Sequence, residues 1–152
     1  MADVPASEFE TVFGFATPQR VPRGWDLSFD TFTEALRARD PEAFARRRVS
    51  PLNGESLLIG FSLPDTILEV IVKVDPDGVV LMESTAAQAA GFAVWLRDNV
   101  VPEGAEVEFN VRPAVEAGLP NRPLPTGDAS AVEEALLAYV SDILAARARG
   151  EM

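Results

Sequence analysis

Leu57-Leu58-Ile59-Gly60-Phe61-Ser62-Leu63-Pro64-Asp65-Thr66-Ile67-Leu68-Glu69-Val70-Ile71-Val72-Lys73-Val74-Asp75-Pro76-Asp77-Gly78-Val79-Val80-Leu81-Met82-Glu83 is the stretch that decides the fold. Leu57 to Leu63 is a near-continuous apolar run, and Pro64-Asp65 turns the chain. From Ile67 to Val74 the two faces differ. Leu68, Val70, Val72 and Val74 are all apolar and make a core face, whereas Glu69 and Lys73 mark the other side. Asp75-Pro76-Asp77-Gly78 reads as a tight turn, because Asp-Gly tolerates the positive φ that a hairpin needs. Val79 to Glu83 then returns antiparallel. Three short strands joined by tight turns predict an antiparallel sheet.

Helices flank this meander on both sides. Upstream, Thr31 and Glu34 have capping-box spacing, with Phe32, Ala35, Leu36 and Arg39 following at helical intervals. Asp40-Pro41 restarts a helical piece, with Ala43 and Phe44 toward the core, which ends in Arg46-Arg47-Arg48. Downstream, Ser84 and Thr85 with Gln88 cap a helix whose stripe is Ala89, Phe92, Ala93 and Leu96; Pro102 stops it. Ala105 to Val111 alternates: Val107, Phe109 and Val111 face inward, and Glu106, Glu108 and Asn110 outward.

Residues 112–127 hold four prolines and two glycines, so this stretch is irregular, with room for one proline-tolerant edge strand. Ser130 and Glu133 cap a last helix with Val132, Leu136, Tyr139, Val140, Ile143 and Leu144 on one face. Residues 1–27 read as an N-terminal arm packed on the body, in which Phe9, Val12, Phe13 and Phe15 suit a short strand. Thr17 to Gly24 is a loop. Residues 28–152 form a single α+β domain: a mainly antiparallel sheet of four to six strands with helices packed on it, in the order α-β-β-β-α-β-(β)-α.

Composition removes most catalytic options. The chain of 152 residues has no histidine and no cysteine. Ser-His-Asp and Cys-His arrangements cannot be assembled from it, nor can a thiolate metal site, and zinc lacks its usual ligands. Neither G-x-G-x-x-G nor a Walker pattern occurs, so no cofactor is expected. Asp75, Asp77 and Glu83 imitate calcium ligands, but Gly78 is the fourth residue of that run and Glu83 the ninth, which fits a hairpin turn and not an EF-hand loop. No catalytic residue and no metal ligand is assigned.

The net charge of −11 is uneven. Residues 1–49 carry eight acids and seven arginines, and residues 50–152 carry sixteen acids and six bases. An acidic surface disfavours nucleic acid and anionic membranes and attracts a basic protein. No apolar run reaches the roughly 18 residues that span a bilayer, and the acidic N-terminus does not resemble a signal peptide, so the expected location is cytoplasmic. Glu103, Glu106, Glu108 and Glu116, with Leu119 and Arg122 in the proline-rich segment, make up the candidate partner-binding surface.

The element order, size and charge resemble those of type III secretion chaperones and the YbjN-like proteins over roughly residues 29–146. That resemblance implies a dimer that holds an extended client protein. In composition the chain is also similar to immunity proteins of bacterial polymorphic toxins. The expected function is a non-catalytic protein-binding module, chaperone-like or immunity-like, with a protein partner and a homodimer among its expected states. Two alternatives are a small enzyme using carboxylates or an oxygen-ligated metal, and a self-assembling structural subunit.

Burying the six apolar side chains of the last helix contributes on the order of 10 kcal/mol before ordering entropy is subtracted. Leu136→Asp is therefore expected to abolish the cooperative thermal transition; a wild-type melting temperature would place the core elsewhere.

Overall fold

The computed structural model describes residues 4–18, 25, 27–52, 54–74 and 78–151. Eleven elements follow one another: β1 (Thr11–Ala16), α1 (Phe29–Arg39), β2 (Ala45–Ser50), β3 (Gly54–Ser62), β4 (Ile67–Lys73), β5 (Gly78–Ser84), α2 (Ala86–Asn99), β6 (Glu108–Val111), α3 (Arg112–Glu116), β7 (Arg122–Pro123) and α4 (Ala129–Ala148). The strands form one sheet in the order β2-β3-β4-β5-β1-β6-β7, and every pairing is antiparallel. The class is α+β, with helices packed on the sheet.

Alternation assigns the two faces. Leu57, Ile59 and Phe61 stand opposite Val72, Val70 and Leu68; Val70 and Val72 stand opposite Leu81 and Val79. All of these are buried. Phe13 and Phe15 continue the same face on β1, and Phe109 and Val111 continue it on β6. Helices α1 and α2 close over it through aromatic contacts. Phe92 lies 5.0 Å from Phe61 and 5.9 Å from Phe15, while Trp95 lies 5.6 Å from Phe32. The alanines of α2, Ala86, Ala89, Ala90 and Ala93, are all buried and keep that helix close to its neighbours. Helix α4 packs beside α2 and buries Val132, Leu136, Tyr139, Val140 and Ile143.

The meander β3-β4-β5 agrees with the sequence reading. Leu63 N–H closes the Pro64-Asp65 turn on the Thr66 carbonyl at 2.7 Å. Asp75, Pro76 and Asp77, the expected hairpin turn, lie outside the described residues. Helix α2 starts as expected: Thr85 accepts from Gln88 N–H, and the Gln88 side chain accepts from Thr85 N–H. Helices α1 and α4 start earlier than expected. Ser28, not Thr31, caps α1, and Thr31 takes the returning position of the box. Asp128, not Ser130, caps α4 by accepting from Ala131 N–H at 3.0 Å. In both cases an extended residue just upstream offers a side-chain oxygen to the first turn, and the predicted cap is already helical.

Three departures change the architecture. The sheet has seven strands where four to six were expected. The N-terminal segment is not a peripheral arm, because β1 lies inside the sheet and pairs with β5 on one side and β6 on the other. Residues 1–3, 19–24 and 26 of the expected arm and loop lie outside the described residues. Arg46-Arg47-Arg48 is not a helix end; it is part of edge strand β2, opposite Leu58, Leu57 and Ser56. Arg47 turns to the helix side, 2.9 Å from Asp30, and its guanidinium stands 5.4 Å from the centre of the Phe29 ring. Phe44, expected in the core, is 45% exposed, and its ring covers Gly60 on the opposite face.

Removing residues 1–16 would strip the inner edges of β5 and β6 of their hydrogen-bond partners and empty the sites of two fully buried phenylalanines. The shortened chain is expected to lack a cooperative transition in circular dichroism. A peripheral arm would leave the melting temperature within a few degrees of the full chain's.

Candidate functional site

The segment after α2 descends from Val101 to Val107 and enters β6, and the segment after β7 runs beside it. Leu124 N–H joins the two by donating to the Val107 carbonyl at 2.8 Å. Between them lies an open groove of about 900 Å³, lined by Arg97, Asp98, Pro102, Glu103, Glu106, Glu108, Pro123, Leu124 and Pro125, with Val101 and Val107 beneath. The Val101-Pro102 bend and the prolines at 123 and 125 give it stiff walls at little entropic cost. Four carboxylates border it. Asp98 pairs with Arg97 at 3.0 Å, and that pair is half in solvent. The indole N–H of Trp25 donates to the Glu106 carbonyl at 3.0 Å and tethers the chain upstream of α1 to this wall.

Of the residues predicted for partner binding, Glu103, Glu106 and Glu108 thus share one groove. The other three lie apart. Glu116, the last residue of α3, borders a separate concavity with Glu10, Glu83, Arg112 and Arg147. Leu119 is 41% exposed, and its carbonyl is held from within. Arg122 lays its guanidinium over the Tyr139 ring, 4.5 Å from the centre, and so braces α4. The irregular segment is more ordered than its prolines suggest, because α3 and the two-residue β7 interrupt it.

Its anchor is Asn110, which the alternation had placed outward. Asn110 is 4% exposed. Its amide donates to the Leu119 carbonyl and to Asn121 Oδ1, each at 3.1 Å. Its Oδ1 accepts from Tyr139 O–H and from Val111 N–H, each at 2.9 Å. All four hydrogen-bonding positions of the side chain are used, so its burial leaves nothing unsatisfied. Tyr139 also sets its ring edge-on to Phe109, with centroids 5.5 Å apart. The clue available in sequence was Tyr139 itself: a tyrosine on a buried stripe needs a partner for its hydroxyl.

Burial pushes the Tyr139 phenol above its usual value, and the nearby Arg122 cation pulls against that shift. Among the described residues no three acidic side chains converge where a metal ion would sit, and no helix is long and apolar enough to cross a membrane.

Two outcomes follow from this node. Asn110→Ala would leave the Tyr139 hydroxyl and two loop groups without partners, at a cost of about 2–4 kcal/mol in denaturant unfolding. Tyr139 is the one tyrosine of the chain, so its ultraviolet titration is unobscured. Its midpoint is expected above that of free tyrosine, near 10, and higher still in Arg122→Ala. The raised value means that Tyr139's contribution to stability is full below the unfolded pKa and is lost as pH rises through the folded one. A midpoint at or below that of free tyrosine would contradict the buried, protonated phenol.

No protein-family model, no curated protein and no solved structure matches this chain, so its functional reading rests on the groove and the surfaces described above.

Proposed function

We propose that this protein is a non-catalytic protein-binding module, chaperone-like or immunity-like, that takes a basic, extended segment of a partner protein into the groove between residues 97–108 and 123–126. The observation that carries this reading is the pairing of chemistries there. Asp98, Glu103, Glu106 and Glu108 border a floor and wall made by Val101, Val107, Leu124 and prolines. A Lys- or Arg-bearing segment with intervening apolar side chains satisfies both surfaces at once. The surrounding charge favours its approach, since residues 50–152 carry a net charge of −10.

Strand addition is a poor alternative route for such a segment. The edge strand β7 has only two residues, one of them Pro123, which has no N–H to offer. At the opposite edge, β2 carries three consecutive arginines, and charged edge strands resist further pairing. Side-chain recognition in the groove therefore suits the molecule better than extension of its sheet.

Selection of binders from a displayed library of random peptides provides the test. The full chain is expected to enrich sequences with Lys or Arg interleaved with apolar residues, and their affinity is expected to fall steeply between low and high salt. Glu103→Lys is expected to weaken those peptides severalfold while the melting temperature holds. Peptides without basic character, or ones that bind wild type and variant equally, would discard this groove.

A further inference from the structure

We propose that the sheet face left uncovered by the helices is a two-fold interface between two copies of this chain, with Ile71 at the axis and Glu69 of each copy meeting Lys73 of the other. The register lines up one row across five strands: Arg46 opposite Leu58, Leu58 opposite Ile71, Ile71 opposite Val80, and Val80 opposite Gly14. Leu58, Ile71 and Val80 stand outside the packed core and keep part of their surface open. Gly14 and Gly78 flatten the neighbouring ground; beside Gly14 an added Cβ would touch nothing. At one end of the face, Phe44 and Ile67 close over Gly60 with 45% and 62% of their own surface exposed.

Charge on this face is divided. Glu69 and Lys73 flank Ile71 two residues to either side, and both are exposed. Around Glu69 and Ile67, Glu10 and Glu83 border a concavity that also contains Arg112. Around the Lys73 end stands Arg48, opposite Ser56. A partner of one uniform charge would be attracted by one end and repelled by the other. A second copy is not: a two-fold axis lying in the face along the Leu58–Ile71–Val80 row lays Ile71 on Ile71 and exchanges the two ends, while Arg46, which ends the same row on edge strand β2, is exposed and extends past the rim into solvent in both copies. Lys73 then meets Glu69 of the second copy, and the same pair forms again by symmetry, as an isologous contact requires.

Within one chain the two charges are about 13 Å apart, at roughly 3.3 Å per residue, beyond the screening length of about 8 Å in physiological salt. They do little for each other until the second copy arrives. The face from β2 to β1 measures roughly 24 by 20 Å, below the approximately 800 Å² per partner of a standard interface. The assembly should therefore depend on concentration. This face is separate from the groove, so either proposal can fail without the other.

Sedimentation velocity of the full chain, from low to high micromolar concentration, tests the proposal. Wild type is expected to pass from monomer to dimer. Glu69→Lys and Lys73→Glu, each at an exposed position, are each expected to weaken dimerisation about tenfold, because each places like charges together twice. The double variant Glu69→Lys/Lys73→Glu exchanges the charges and is expected to return to within about threefold of wild type. Circular dichroism checks that each variant is folded. A wild type that stays monomeric throughout, singles that dimerise like wild type, or a double variant as weak as the singles would each overturn the proposal.

Discussion

The pairing of β1 with both β5 and β6 is the contact on which the architecture depends. Without it, the four strands β2 to β5 and the pair β6-β7 are separate pieces, each with an open inner edge. With it, one side of Phe13 and Phe15 is supplied by Leu81 and Val79 and the other by Val111 and Phe109. Phe92 of α2 then packs on Phe15 and Phe61 together, so that helix is held by strands far apart in sequence. The ends of the chain's folding path thus meet at its first strand. Closing so long a connection is entropically costly, and the burial of two phenylalanines offsets it.

A second, polar constraint holds the other end of the molecule. Asn110 joins β6, the loop at Leu119 and Asn121, and Tyr139 of α4 through four hydrogen bonds. Arg122 rests on the same tyrosine ring from β7. Because a buried polar group is costly when only partly satisfied, this network has one low-energy arrangement, and it sets the proline-rich segment in place. That segment in turn forms the second wall of the acidic groove. A packing node and the proposed binding surface are thus coupled: the groove keeps its shape because Asn110 keeps its partners.

The two surfaces proposed for recognition follow from how the sheet is finished. Short, proline-bearing β7 and arginine-rich β2 protect the edges. Among the described residues, a groove at the β6-β7 end and the face opposite the helices stay open. The groove is dominated by one sign of charge and suits a partner of the other. The face carries both signs, with Glu69 and Lys73 arranged about Ile71.

The sequence by itself determined the β3-β4-β5 meander, the existence of the last two long helices, the α+β class and the acidic character of Glu103, Glu106 and Glu108. These are local properties: alternation of Leu68, Val70 and Val72, turn residues, and a 3.6-residue stripe are written within windows of a few residues. Only the tertiary structure decided that Thr11–Ala16 is an inner strand, that Arg46-Arg47-Arg48 sits on an edge strand, and that Asn110 is buried. Each of those depends on a partner distant in the chain. Gly14 weakens the strand signal of β1, and the signal is redeemed only by β5 and β6 on either side. Asn110 reads as an outward polar residue until Tyr139, 29 positions later, supplies its hydroxyl. Glu116, Leu119 and Arg122 group with the acidic strand only by proximity in sequence. The chain's turn through α3 and β7 separates them, because the direction in which a side chain leaves an irregular segment is set by what that segment packs against.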